Sequence, residues 1–211
     1  MNYPYAAENR LDVPHAYMYA PYGGQDFLAA YVDDRRVRLA RHLQGTVCPP
    51  PGGLKDALAA AARALAGPWP LDTFSPADAT PLKPLLAALL GVLANGDHAA
   101  AQPWLVRVIQ RFEVSKKLYA GYAPGFRKGE GEARDPARYA ELALCLALAH
   151  ALSGQLQYLS TLLKLDDLLL SLDADVLRPA CPPEHLALLV AAELDAVAAL
   201  AAAQGVTLDA A

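Results

Sequence analysis

Ala137–Leu152 reads ARYAELALCLALAHAL, and this stretch decides the fold. At about 100° per residue, Leu142, Leu144, Leu146, Leu148 and Leu152 spread around the whole circumference of a helix. A helix that is apolar on every side belongs at the centre of a protein. Asp135-Pro136 opens it and Gly154 closes it, the usual asymmetry of helix ends. Its neighbours must pack around it, which predicts a bundle or irregular array rather than a single solenoid layer.

Working outward, the periodicity predicts further helices over Leu54–Ala66, Pro81–Asn95, Pro103–Tyr122, Gln155–Leu172 and Pro183–Gln204. Residues 26–44 fit either a helix with Phe27, Leu28, Tyr31 and Val32 on one face or a hairpin turning at Asp33-Asp34, and the helix is preferred. The expected architecture is all-α, with about six or seven helices. An extended Tyr-rich N-terminal arm over residues 1–24 precedes a single helical domain over 25–211. Connecting segments are expected near 45–53, 67–80 and 123–136, the last a Gly-rich charged loop. Helical turns at Asn95-Gly96 and Ser153-Gly154 lie 58 residues apart, well beyond the ~34-residue helical repeat.

Composition narrows the function classes. A chain of 211 residues with 55% hydrophobic and 19% charged residues can bury a sizeable core. A net charge of −4 argues against nucleic acid as a partner. Three widely spaced cysteines, Cys48, Cys145 and Cys181, make neither a disulfide framework nor a zinc site, and a reducing, cytoplasmic setting is expected. The opening MNYPYAAENRLDVPH lacks the basic and apolar regions of a signal peptide. The strictly apolar runs fall short of the roughly 20 residues a bilayer span requires, so no membrane role is expected.

Segment 107–128 carries Arg107, Arg111, Lys116, Lys117, Arg127 and Lys128 among the aromatics Phe112, Tyr119, Tyr122 and Phe126. Cations with rings beside glycines suit an anionic phosphorylated ligand, such as a nucleotide or sugar nucleotide. The glycines match neither the P-loop nor the dinucleotide fingerprint. A straight helix would carry Lys116 into the apolar stripe of Trp104, Leu105, Val108, Ile109, Phe112 and Tyr119. Asp166 falls in the same awkward position, inside the apolar arc of the 155–172 helix. Buried charges demand partners, so the two are expected to pair. His150, in the central helix, is expected to find a hydrogen-bond partner. Glu141 lies nine residues before it, which is no helical ligand spacing, and Asp173 and Asp175 fall too late to join Asp166 and Asp167 around magnesium. No metal or cofactor is implied.

Arg35, Arg36, Arg38 and Arg41 are read as a solvated face partly neutralised by Asp33 and Asp34. Residues 155–211 are the opposite, eight acids against Lys164 and Arg178. The expected function is a helical protein-interaction or accessory module without catalysis of its own, meeting a protein partner or a second copy. The alternative is a small enzyme or accessory subunit that binds an anionic small molecule through Lys116, Tyr119, Tyr122, Arg127 and Lys128, with Asp166 and His150 as polar core groups.

Overall fold

A computed structural model describes residues 24–43, 53–129 and 131–203, with side chains from Ala30 onward. The Tyr-rich arm and most of the 45–53 linker lie outside the described residues. Among the described residues eight helices follow one another: α1 (Gly24–Leu43), α2 (Leu54–Leu65), α3 (Leu82–Ala94), α4 (His98–Ser115), α5 (Pro136–Ser153), α6 (Leu156–Leu170), α7 (Ala174–Leu177) and α8 (Pro183–Ala203). A 3-10 turn at Leu71–Thr73 lies between α2 and α3. Residues 24–43 are thus helical throughout, and no hairpin turns at Asp33-Asp34.

The central helix is α5. Asp135 caps it by accepting a hydrogen bond from the Ala137 amide at 2.9 Å, and Pro136 occupies the first turn. At the far end Gly154 takes a left-handed conformation, and its amide reaches the His150 carbonyl at 2.7 Å. Every residue from Leu142 to Ala149 is buried. Around α5 pack α2, α3, α4, α6, α7 and α8, as an all-round leucine surface requires. By length and composition α8 could cross a membrane; here it serves as an inner helix, burying Leu186, Leu189, Val190 and Val197. Helix α1 packs against α8 and α6.

Two sequence expectations change. Helix α4 begins at His98, ahead of Pro103, because Asp97 caps it through the Ala100 amide at 3.0 Å. The cap and the alanine-rich first turn outweigh the hydrogen bond that Pro103 cannot make. The same helix stops at Ser115 instead of running on to Tyr122. Lys116 turns left-handed at φ 56°, so everything beyond it leaves the helix axis.

The segment expected as a loop from Ala123 contains part of a small antiparallel sheet, β1 (Thr80–Pro81), β2 (Gly121–Ala123) and β3 (Arg127–Lys128), in that order. Thr80 pairs with Tyr122 and Pro81 with Gly121; across the hairpin Tyr122 pairs with Lys128 and Ala123 with Arg127. Gly125 and Phe126 both have positive φ at the turn. Phe126 tolerates this because its ring stacks on Tyr122, with centroids 4.1 Å apart. At Gly129 a Cβ would lie 1.8 Å from the Gly121 carbonyl oxygen, so the hairpin closes only around glycine.

Gly129→Ala should therefore open the hairpin, raising proteolysis at Arg127 and Lys128; an unchanged cutting rate would contradict this packing. In α5, Leu146→Ala should cost about 2–5 kcal/mol in denaturant unfolding. The slowest amide exchange in the chain should lie across Leu142–Leu148.

Candidate functional site

The most concentrated chemistry lies where α1 meets α6 and α8. Tyr31, Arg35, Arg38 and His42 recur at helical spacing along one face of α1. Opposite them stand Asp166 and Asp167 of α6 and Glu193 of α8. Arg35 is 1% exposed, and Asp166 and Glu193 are fully buried.

Arg35 is the hub. Its Nε donates to Glu193 Oε1 at 2.7 Å and to the Tyr31 hydroxyl at 3.0 Å. One terminal nitrogen donates to Asp167 Oδ1 at 2.9 Å, and the other to the Leu163 carbonyl at 3.2 Å. A planar fork with donors on several sides suits arginine and not lysine. Tyr31 donates its hydroxyl to the same Glu193 oxygen, and its ring lies 5.0 Å from the guanidinium carbon. Arg38 pairs with Asp167 Oδ1 and donates to the Asp167 carbonyl at 2.9 Å. His42 Nε2 lies 3.4 Å from the Leu170 carbonyl.

The electrostatics follow from burial. Burial alone would discourage Arg35 from carrying charge, but Glu193 and Tyr31 beside it hold it firmly protonated. Burial drives the Asp166 carboxyl well above the usual carboxylate range, and the neighbouring Glu193 adds to the effect. Tyr31 is raised by burial and by Glu193, so it stays a neutral donor. Cys181 is pushed up to about 12 by burial, with the Asp166 charge adding to it. It is a thiol at neutral pH, not a nucleophile.

This arrangement corrects the expected partner of Asp166. The carboxyl is buried, as its place in the apolar arc demands, but the nearby cation is Arg35 and not Lys116. The Lys116 side chain is 63% exposed and pairs with Glu113 at 2.7 Å. The left-handed turn that ends α4 carries it to the surface. Arg35 and Arg38 are likewise not a solvated face: they are buried against α6 and α8. Asp167, on the polar side of the α6 wheel, is drawn into the cluster because α1 covers that side.

The remaining predicted site residues are divided. Tyr119 and Tyr122 are buried in the hairpin core, their rings edge to face with centroids 6.3 Å apart. Burial raises Tyr122, whose hydroxyl has no hydrogen-bond partner among the described residues. Arg127 and Lys128 are exposed; Arg127 Nε donates to the Pro124 carbonyl at 3.2 Å, and the Lys128 ammonium lies 5.8 Å from the Tyr119 ring centre. His150 is half-buried in the last turn of α5, with Nδ1 3.1 Å from the Gln155 carbonyl. The structure thus brings Tyr119, Tyr122, Arg127 and Lys128 together in the hairpin. It leaves Lys116, Asp166 and His150 apart from them.

A second charged contact joins α4 to α6. Lys164 Nζ reaches both oxygens of Glu113, at 2.9 and 2.8 Å, and the Thr161 hydroxyl lies 3.2 Å from one of them. Partial burial pushes Glu113 up, but hydrogen bonds from Lys116 and Lys164 hold it below the usual range. A shallow cleft between α2, α5 and α8 is lined by Leu65, Glu141, Leu144, Cys181, His185 and Leu189. Burial raises Glu141 and lowers His185 there.

No protein-family model, curated protein or solved structure matches this chain. Fold and site together define an all-α helical array in which an interior ionic cluster fastens the first described helix to the body.

Arg35→Met should cost roughly 3–5 kcal/mol, because it leaves buried carboxylates without their cation. Adding Glu193→Leu should recover part of that loss, as a double-mutant cycle would measure; strictly additive losses would mean the two side chains do not interact. Lys116→Met should change stability by no more than about 0.5 kcal/mol, the usual range for a surface substitution.

Proposed function

We propose that this chain is a helical interaction or accessory module without catalysis of its own, working in the cytoplasm with a protein partner or a second copy. One observation carries the reading: the densest set of ionisable groups joins helices to each other rather than lining a cleft. Arg35 directs its donors to Glu193, Asp167, Tyr31 and a backbone carbonyl. Large apolar side chains at the surface give a partner something to hold, with Val114 82% exposed and Trp69 46% exposed. Tryptophan is a favoured anchor in protein interfaces.

The second reading, an anionic phosphorylated ligand, is favoured by the hairpin. Arg127 and Lys128 are exposed beside Tyr119, and the Arg107 guanidinium carbon lies 5.7 Å from the Trp104 ring centre. A thermal-shift panel of nucleotides, sugar nucleotides and phosphate esters separates the two. On the module reading none of them stabilises the protein. A ligand at about 100 times its Kd would add about 2.7 kcal/mol. If that gain disappears in Arg127→Ala and Lys128→Ala, the ligand reading replaces ours. Trp69→Asp should leave thermal stability nearly unchanged and weaken concentration-dependent association seen by light scattering or cross-linking.

A further inference from the structure

Two faces of opposite charge lie at the surface, each around an exposed valine. On α4, Arg107, Arg111 and Val114 recur at spacings of four and three, which places them on one side of the helix. Val114 is almost fully exposed. Arg111 ties this side to the hairpin by donating to the Phe126 carbonyl at 2.7 Å, and Arg127 and Lys128 follow directly at the surface. None of these four cations has an ion pair among the described residues. Asp72 and Asp78 offset part of the charge; they are exposed in the loop whose Pro76 carbonyl accepts from the Gly125 amide at 2.7 Å. Glu130 and Arg134, next along the chain, balance each other in charge. Lys116 and Lys117 are already matched by Glu113 and Glu132.

The second face is built around α7. Asp173, Asp175 and Glu184 are exposed there, with Arg178 as the one cation between them. None of the four has an ion pair among the described residues. Burial discourages His185, beside Glu184, from charging. Ala174 and Pro183 line one small cleft, which sets the starts of α7 and α8 side by side. Val176 stands among these acids, half exposed.

The hairpin face indicates what it can hold. Its rings are buried against one another, and Arg107 and Lys128 lie over Trp104 and Tyr119. It therefore presents charge and Val114 rather than a stacking surface for a base. An apolar contact within a charged rim is the construction of a protein interface. The complement must bring carboxylates around an apolar side chain, and the chain carries such a face itself.

We propose that the α4 and hairpin face of one copy docks on the α7 face of a second copy, with Asp173, Asp175 and Glu184 meeting Arg107, Arg127 and Lys128 around the two valines. This pairing rests on the module reading and names its partner as the chain itself. The two faces belong to different parts of the fold, since β1 and β2 pack on α3 and α7 packs on α5. Each copy thus contributes a different surface, a heterologous contact.

Sedimentation velocity of the purified full chain over a concentration series tests this. The native chain should associate as concentration rises. Raising salt from about 0.1 M to about 1 M shortens the screening length from about 10 to about 3 Å and should raise Kd about tenfold. Arg127→Gln with Lys128→Gln neutralises the hairpin; Asp173→Asn with Asp175→Asn neutralises α7. All four side chains are exposed, so melting temperatures should stay near that of the native chain. Each variant alone should associate about tenfold more weakly. The two mixed should regain association, because the intact hairpin of one meets the intact α7 of the other. The α7 variant moves the net charge from −4 towards zero, so general repulsion predicts tighter self-association there and the proposed pairing predicts weaker. A native chain that stays monomeric at every concentration overturns the proposal and leaves the module reading to a different partner. Association that ignores salt, or a mixture no tighter than its parts, overturns it as well, since other surfaces would then be in contact. A phosphate-ester stabilisation that disappears in Arg127→Ala would remove the module reading itself, and this pairing with it.

Discussion

The α1 junction depends on one guanidinium group. Arg35 sits at 1% exposure with donors directed at two carboxylates, a hydroxyl and a carbonyl from three helices. An interior arginine is tolerable only when its charge and its donors are matched. That requirement fixes the rotation of α1 about its own axis, because Tyr31, Arg38 and His42 must face inward with Arg35. It also explains why α6 and α8 carry acids at positions where their neighbours are leucine and alanine. Removing any one member leaves the others buried without compensation, so the cluster acts as a unit.

The body beneath this junction is held differently. Around α5 the contacts are leucine against leucine and alanine, in the close packing that makes interiors sensitive to lost volume. The hairpin is a third kind of structure, whose Phe126, Tyr122 and Tyr119 rings meet one another and, with Trp104 of α4 and Phe74, form a run of stacked, tilted and edge-to-face contacts. Its basic residues lie around this aromatic core: Arg111 donates from α4 to the Phe126 carbonyl at 2.7 Å, whereas Arg127 and Lys128 face outward. Apolar packing supplies the stability of the whole, and charge specifies how α1 joins it.

The charge asymmetry read along the chain acquires a different meaning in three dimensions. The acidic excess of residues 155–211 includes Asp166, Asp167 and Glu193, and these answer the arginines of α1 rather than the basic 107–128 segment. The basic segment in turn meets single acids: Glu113 holds Lys116 and Lys164, and Lys117 pairs with Glu132 at 3.1 Å. The charges resolve into separate pairings, one of which, Glu113 with Lys164, joins α4 to α6, and the cluster beneath α1.

By itself the sequence determined the helices and the one at their centre, because apolar periodicity, the Asp-Pro opening and the closing glycine act within a few residues of one another. The burial of Asp166 was legible for the same reason: its place on the α6 wheel is a local property. The identity of its neighbouring cation was not. Lys116 and Arg35 are both basic residues far away in sequence, and the choice between them depends on the left-handed turn at Lys116 and on which helix covers α6. Two signals pointed to the answer: the Tyr31, Arg35, Arg38 and His42 spacing on α1, and Glu193 set directly between alanine and leucine in α8. Each has an ordinary surface explanation when read alone. Only the tertiary structure sets those two faces against each other, because a buried charge is defined by its surroundings and not by the residue that carries it.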